Sequence, residues 1–361
     1  MLIMKGDLFM NNLLVIDGSA ILSTHFFASL PKEILAEKDI NKANQMCREK
    51  LHYVNGQCVE SVGSFIQSCL RLINNYKANY AVVVFDKNSE TTFRKQQYPA
   101  YKANRSKKPD ALKEQMTLLH TLLPHIGIQC FWADAFEADD LGGSIIRRFA
   151  PEFDTVYFVT KDHDWLQLIG GNVKGIMLYT KEEDAIKWRN CFASNPGTPE
   201  NNSFDTSTPN CYGKQVCFDE YVCSVIEGVD PKQIPMKKGL AGDSSDNIPG
   251  VKGVGPKAAV ALSLLCGDVK TLYEYIATNG IDKLKRDFKG VIRINGNALI
   301  AGQNDAILSE DLATIKTDIA IPYNAMKLKY QLNMTTLYQI ADFYGLTQEL
   351  RFYIMDIPYE A

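Results

Sequence analysis

Four short runs of apolar, β-branched or aromatic residues dominate what this chain can become: LLVI (13–16), YAVVVF (80–85), IQCFWA (128–133) and TVYFVT (155–160). Near-continuous apolar runs of this length suit strands that are buried on both faces. Helical patterns such as VGSFIQSCLRLINNY and ALKEQMTLLHTLLPHI separate them. Strand–helix alternation of this kind predicts an α/β fold, a parallel sheet with helices on both faces.

Acid follows every one of these strands. Asp17 and Asp86 come directly after the first two; Glu137, Asp139 and Asp140 follow the third, and Asp162 and Asp164 the fourth. In an open parallel sheet the residues just past the strands' carboxyl ends converge on one edge. Each acid has an ordinary explanation on its own. Asp17 and Asp86 suit turns or helix N-caps, and Glu137, Asp139 and Asp140 suit a first helical turn. Jointly these explanations fail, because like charges crowded in one crevice cost stability unless cations neutralise them. Carboxylate oxygens without His or Cys select a hard cation, Mg²⁺ or Mn²⁺. A pair of such ions about 4 Å apart is the arrangement that clamps an in-line phosphoryl displacement. The aspartyl-phosphate alternative needs a second acid two residues after the nucleophile, and Asp17 is followed by Gly18 and Ser19.

The formal net charge of −3 hides a pattern. Residues 87–108 hold Lys87, Arg94, Lys95, Lys102, Arg105, Lys107 and Lys108 against the single acid Glu90, and a second cluster comprises Lys283, Lys285, Arg286, Lys289 and Arg293. Basic surfaces around an acidic centre fit a metal nuclease better than a passive binder. Phe93, Tyr98 and Tyr101 interleave with the first cluster, as expected of a loop that stacks bases while its cations track phosphates. The default for such a charge run is a solvated loop.

No apolar run approaches the ~18 residues a membrane helix requires, and MLIMKGDLFMNN is too short and too charged for a secretory signal. Residues 1–12 read as a leader of uncertain start, since Met4 and Met10 also precede the first strand. Nine scattered cysteines without a Cys-x-x-Cys pair suggest reduced thiols in a cytoplasm. Cys211, Cys217 and Cys223 are evenly spaced, but no histidine lies near them to complete a zinc site.

Residues 190–215 are rich in Asn, Ser, Thr, Pro and Gly and read as a mobile inserted loop. The expected organisation is a core over 13–215 with a basic segment at about 87–115, a helical unit over 216–305, and a helical C-terminal segment over 306–361. In LAGDSSDNIPGVKGVGPKAAVALSLL (240–265), Gly250, Gly253 and Gly255 permit a tight turn with exposed amides. Pro256 then opens a helix whose start, with Lys257, can hold a phosphate. The glycines alone would be an ordinary helix corner; Asp243 and Asp246 just before them add acids to a metal site.

VIDGS (15–19), VVFDKNSETTFR (83–94), YPAYKANR (98–105), FEADD (136–140), VTKDHDWLQL (159–168) and GDSSDNIPGVKGVGPKAA (242–259) stand in this order along the chain. Together they resemble the flap endonuclease family, which includes phage 5′ nucleases and the 5′ nuclease domain of bacterial DNA polymerase I. The resemblance spans about residues 13–265. It implies a PIN-like nuclease core with an arch over its metal edge, and a helix–three-turn–helix unit that grips duplex DNA. It implies that Asp17, Asp86, Glu137 and Asp139 serve a first metal ion, and Asp140, Asp162, Asp164, Asp243 and Asp246 a second. Lys102 and Arg105 match basic residues that act on the scissile phosphate. Arg94, Tyr98, Tyr101, Lys107, Lys108, Gly250, Lys252, Gly253, Gly255 and Lys257 are the expected DNA contacts, and the Gly250–Lys257 loop matches one that in the family often holds K⁺. Residues 30–57 and 181–215 are longer than the family's usual connections.

The expected activity is structure-specific 5′ nuclease action by two metal ions on DNA with 5′ flaps, nicks or ends, extending to RNA primers on DNA. With no polymerase domain following, the chain is expected to be the stand-alone form that phages encode, working in a bacterial or infected-host cytoplasm. A PIN-type ribonuclease would share the acids but lacks the helix–three-turn–helix. A non-catalytic DNA binder would tolerate loss of acids, yet all nine positions are filled.

Overall fold

A computed structural model describes residues 11–88, 90–186, 214–289, 293 and 295–354. Most of the 190–215 segment, including Cys211, lies outside the described residues, as do residues 1–10 of the leader. The chain forms β1 (Asn12–Asp17), a small hairpin of β2 (Tyr53–Val54) and β3 (Gln57–Cys58), then β4 (Tyr80–Asp86), β5 (Gln129–Ala133), β6 (Thr155–Thr160), β7 (Val173–Leu178) and β8 (Gln215–Phe218). Six of them make one sheet in the order β5-β4-β1-β6-β7-β8, parallel except for the edge pair β7–β8. The four apolar runs are four of its parallel strands.

Side-chain alternation packs both faces. From β1 and β4, Leu14, Ile16, Val83 and Phe85 enter one core with the helices Gly18–Ser29, Val62–Asn75 and Asp110–His125. Leu13, Val15, Val82 and Val84 enter the other, against the helix Ala138–Phe149. Gly18 permits the tight join between β1 and its helix, since a Cβ there would lie 2.5 Å from the Phe85 ring.

Topology fixes where chemistry can occur. The chain builds outward from β1 through β4 to β5, then returns to the other side of β1 with β6 and β7. The switch point is therefore at β1 and β6, whose carboxyl ends carry Asp17 and Asp162.

The long 30–57 connection folds into the helices Lys32–Ala36 and Ile40–Lys50 plus the hairpin, with Ile34, Cys47, Leu51 and Cys58 buried in the first core. Strand β8 crosses the 215/216 junction expected between core and helical unit and belongs to the core sheet. Helices from Ile234–Ala241 to Gln303–Ala313 share a separate apolar cluster that includes Leu240, Val251, Val254, Leu262, Leu272 and Leu299. The C-terminal helices Met334–Phe343 and Thr347–Ile354 return to the first core through Leu337, Ile340 and Leu350. Among the described residues no helix is long and apolar enough to cross a membrane.

Candidate active site

The carboxylates gather as the strand ends dictate. Asp17 caps its helix, accepting from Ala20 N at 3.0 Å, and its other oxygen accepts from Thr160 Oγ1 of β6 at 2.7 Å. Burial raises its pKa to about 7; the two hydrogen bonds oppose this, and the nearby Asp86 and Asp162 add to it. Asp86 accepts from Ala138 N at 2.8 Å, which ties β4 to the first turn of the helix Ala138–Phe149. Asp162 caps the turn that carries Asp164, accepting from its backbone N at 2.9 Å.

Glu137, Asp139 and Asp140 form a group whose ligand oxygens lie within 4.8 Å of one another. Burial, with Asp140 and Glu137 beside it, holds the Asp139 carboxyl well above the usual range. Two more acids come from the helical unit. Asp243 and Asp246 sit on the turn after the helix Ile234–Ala241, where Asp243 and Ile248 exchange backbone bonds.

The protein's own cations fill the crevice. Lys102 places Nζ 2.5 Å from Glu137 Oε1 and 3.5 Å from Asp246 Oδ2. Lys238 contacts Asp164 Oδ1 and lies 2.7 Å from Asp243 Oδ2. Burial and Asp162 raise the Asp164 pKa to about 6 against the pull of Lys238. Burial works the same way on Asp243, but Lys238 and Ser245 prevail and bring it to about 2. Arg105 contacts Asp246 Oδ1. Two ammonium groups seated among oxygen-only donors mark positions that attract cations, and such a donor set fits hard divalent ions.

The 87–109 segment does not stand free. Lys102 N donates to Asp246 O at 2.8 Å, Asn104 Nδ2 to Ser244 O at 2.7 Å and Asn247 Nδ2 to Ala100 O at 2.7 Å. Residues 100–104 are thereby laced to 244–247, with Lys102 at a positive φ of 52°.

Several expected DNA contacts are relocated by this packing. Tyr101 is buried, its hydroxyl 2.9 Å from Glu137 Oε2 and 3.2 Å from Asp246 Oδ2, so it offers no face for stacking. Phe93 packs against Phe136, with ring centroids 5.9 Å apart. Arg94 is 1% exposed and gives its guanidinium to Asp140, Glu137 and two backbone carbonyls. Gly250 is buried; its φ of 61° and the 2.2 Å from a would-be Cβ to Gly242 N show a backbone-packing role. Asp140, expected as a ligand, is fully buried with both oxygens engaged by Arg94.

Other contacts stay on the surface. Val251 and Val254 plug the helical core, which leaves Lys252, Gly253, Gly255 and Lys257 exposed around the start of the helix Pro256–Cys266. Lys107 and Lys108 are exposed, and Tyr98 is half-buried. Lys238 went unread in the sequence; its signal is its place five residues before Asp243, where a last helical turn returns it to the acids.

The model of the 5′-3′ exonuclease N-terminal resolvase-like domain matches residues 12–193, and that of the 5′-3′ exonuclease C-terminal SAM fold matches residues 229–335. A 5′-3′ exonuclease of Halalkalibacterium halodurans is 31% identical over 85% of this chain and 84% of its own. DNA polymerase I of Caldicellulosiruptor bescii is 29% identical over 91% of this chain, which spans only 32% of that longer protein. Among solved structures, the flap endonuclease of bacteriophage T5 in complex with DNA and metal ions superposes with a TM-score of 0.54, covering 96% of this chain and 100% of its own at 17% identity. At that identity the likeness is one of fold.

Proposed function

Since this chain belongs to the 5′-3′ exonuclease family, whose two domain models match it in order, we propose that it is a structure-specific 5′ nuclease of DNA. One observation carries this reading: acids from two separately packed units face each other across one crevice. Glu137 of the core and Asp246 of the helical unit share Lys102, while Asp164 and Asp243 share Lys238. A crevice that closes between the sheet edge and a DNA-gripping unit suits a phosphodiester held at a duplex junction.

In this reading Asp17, Asp86, Glu137 and Asp139 hold one Mg²⁺ or Mn²⁺, and Asp162, Asp164, Asp243 and Asp246 a second. When bound, such ions activate water and stabilise the leaving oxygen at neutral pH. The chain's own residues do the rest. Lys102 and Arg105 are aimed at the scissile phosphate, and the residues laced to 244–247 hold them there. Lys107 and Lys108 face the displaced 5′ strand. Lys252, Lys257 and the exposed amides of the Gly253–Gly255 turn grip the duplex backbone, with K⁺ as the ion of that loop. The substrates are DNA flaps, nicks and ends, with RNA primers on DNA as a further class, and replication or repair in a cytoplasm is the setting. The organisation is a nuclease core, a duplex-gripping helical unit and a C-terminal segment that braces the core.

The test is incubation with a 5′-labelled flap duplex in Mg²⁺ and in EDTA. Short 5′ fragments in Mg²⁺ and none in EDTA are expected. An intact flap beside cleaved single-stranded RNA would favour the PIN-type ribonuclease, and binding without cleavage a passive DNA binder.

A second expectation concerns the basic patch on the helix Ile281–Asp287 and just beyond. Lys283 and Lys285 pair there with Asp287 and Asp282, whereas Arg286 and Lys289 are exposed. Neutralising Lys283, Lys285, Arg286 and Lys289 together should weaken DNA binding across sequences. Each lost phosphate contact should flatten the log–log salt slope by ~1. An unchanged slope would make this patch a solvated surface that its own acids neutralise.

A further inference from the structure

We propose that Arg94 is a positioning residue that allots the three clustered carboxylates: it withholds Asp140 from metal binding and turns Glu137 so that Oε1, with Asp139, faces the crevice. The inference rests on the nuclease reading and specifies which atoms of its metal site are available.

The hydrogen bonds argue for it atom by atom. A guanidinium has five N–H donors, and all five are engaged. Nε donates to Leu312 O at 2.8 Å. Nη1 donates to Asp140 Oδ2 at 2.6 Å and Glu137 Oε2 at 3.0 Å. Nη2 donates to Asp140 Oδ1 and Thr314 O, both at 2.7 Å. No donor is left for a phosphate.

Asp140 is saturated in turn. Beyond the bidentate Arg94 fork, Oδ1 accepts from Lys316 N at 2.8 Å and Oδ2 from Glu137 N at 3.1 Å, which fills its acceptor positions. Glu137 is divided: Oε2 takes Arg94 and the Tyr101 hydroxyl, while Oε1 lies against the ammonium of Lys102. A buried fork is fixed, but a lysine on a flexible stem can yield to a metal ion. Among the described residues Asp139 makes no bond to Arg94; its Oδ1 accepts from Asp140 N at 2.9 Å.

Arg94 also joins three distant parts of the chain. Its short helix Phe93–Gln97 begins at the base of the 87–109 segment, and Phe93 N donates to Ala135 O at 2.8 Å just before the metal motif. Gln97 reaches Asp311 Oδ2 at 2.9 Å, beside the carbonyls of Leu312 and Thr314 that Arg94 holds. The arch base, the Glu137–Asp140 turn and residues 311–316 are thus one bonded block.

The test compares R94Q, D140N, R94Q/D140N and D139N with the unaltered protein by calorimetric titration of Mn²⁺ without DNA, melting in EDTA, and single-turnover cleavage. D140N should bind Mn²⁺ about as the unaltered protein does, whereas D139N should bind about tenfold or more weakly. R94Q frees an acid and removes a positive charge, so it should bind Mn²⁺ more tightly yet cleave about tenfold or more slowly. R94Q/D140N restores the local charge balance and should return Mn²⁺ binding and EDTA melting most of the way. A role in folding alone would weaken both metal binding and cleavage. Loss of Mn²⁺ affinity in D140N equal to that in D139N would make Asp140 a ligand and overturn the proposal, a result that stands even where R94Q fails to fold. Unchanged Mn²⁺ binding in R94Q with a raised DNA dissociation constant would make Arg94 a docking residue and overturn it too. Absence of Mn²⁺ binding by the unaltered protein would overturn the nuclease reading itself.

Discussion

Asp139→Asn should lower single-turnover cleavage in Mg²⁺ by about a thousandfold or more, on the order of 4 kcal/mol of lost transition-state stabilisation. Of the three clustered acids, Asp139 is the one with no ion pair among the described residues: Asp140 is taken by Arg94, and Glu137 by Lys102 and Arg94 with the Tyr101 hydroxyl. DNA affinity should hold or rise, because in the proposed reading the residue removed serves the metal, and one repelling charge leaves the crevice. Folding stability without metal provides an independent check. Burial, Asp140 and Glu137 push the Asp139 carboxyl well up in the folded state. Ionising it therefore opposes folding: between the unfolded and the raised folded pKa, the native state holds the proton more tightly, and stability falls as pH rises. Asparagine cannot ionise. In EDTA at neutral pH the variant should melt at the same temperature as the unaltered protein or higher, with a weaker loss of stability toward high pH. Turnover above a tenth of the unaltered rate would remove Asp139 from the metal site.

The sheet was legible because each parallel strand up to β6 is a nearly continuous apolar run, and the gathering of acids because acid follows each run where strand ends must converge. Strand β7 was not, since VKGIML carries Lys174 and Gly175, and Gly175 is required where a Cβ would come 2.6 Å from the Phe158 ring. The failures at the site share one cause. Arg94 and Tyr101 stand in a basic, aromatic run whose local composition describes a solvated nucleic-acid loop. Their partners lie far along the chain: Glu137 and Asp140 are 43 and 46 residues from Arg94, and Leu312 is 218 away. Charge type is readable from sequence, but whether a cation faces solvent or neutralises a buried acid depends on which distant acid folding brings to it. Lys238 illustrates the same point in reverse, as one of two adjacent lysines on a helix of which the fold turns this one to Asp164 and Asp243.

Lys102→Ala should slow the chemical step far more than it weakens binding. The residue is firmly held. Its backbone N is fixed to Asp246 O, its φ of 52° turns the chain tightly over the crevice, and its side chain is 18% exposed. Burial alone would lower its pKa, yet Glu137, Tyr101 and Asp246 keep it well above the ordinary lysine value, so it is a cation at any working pH. This ammonium neutralises Glu137. On its flexible stem the ammonium can turn from Glu137 to a bound phosphate, where it would face the charge that develops during displacement. A cation so aimed stabilises the transition state more than the ground state. Its removal should cost on the order of 10²–10³ in rate, roughly 3–4 kcal/mol. In the proposed reading the exposed Lys107 and Lys108 track phosphates instead, so their loss should appear in the dissociation constant. Single-turnover rates at saturating enzyme separate the two behaviours. If Lys102→Ala keeps its rate and only the dissociation constant rises, Lys102 docks DNA, and its contact with Glu137 serves only to neutralise that acid.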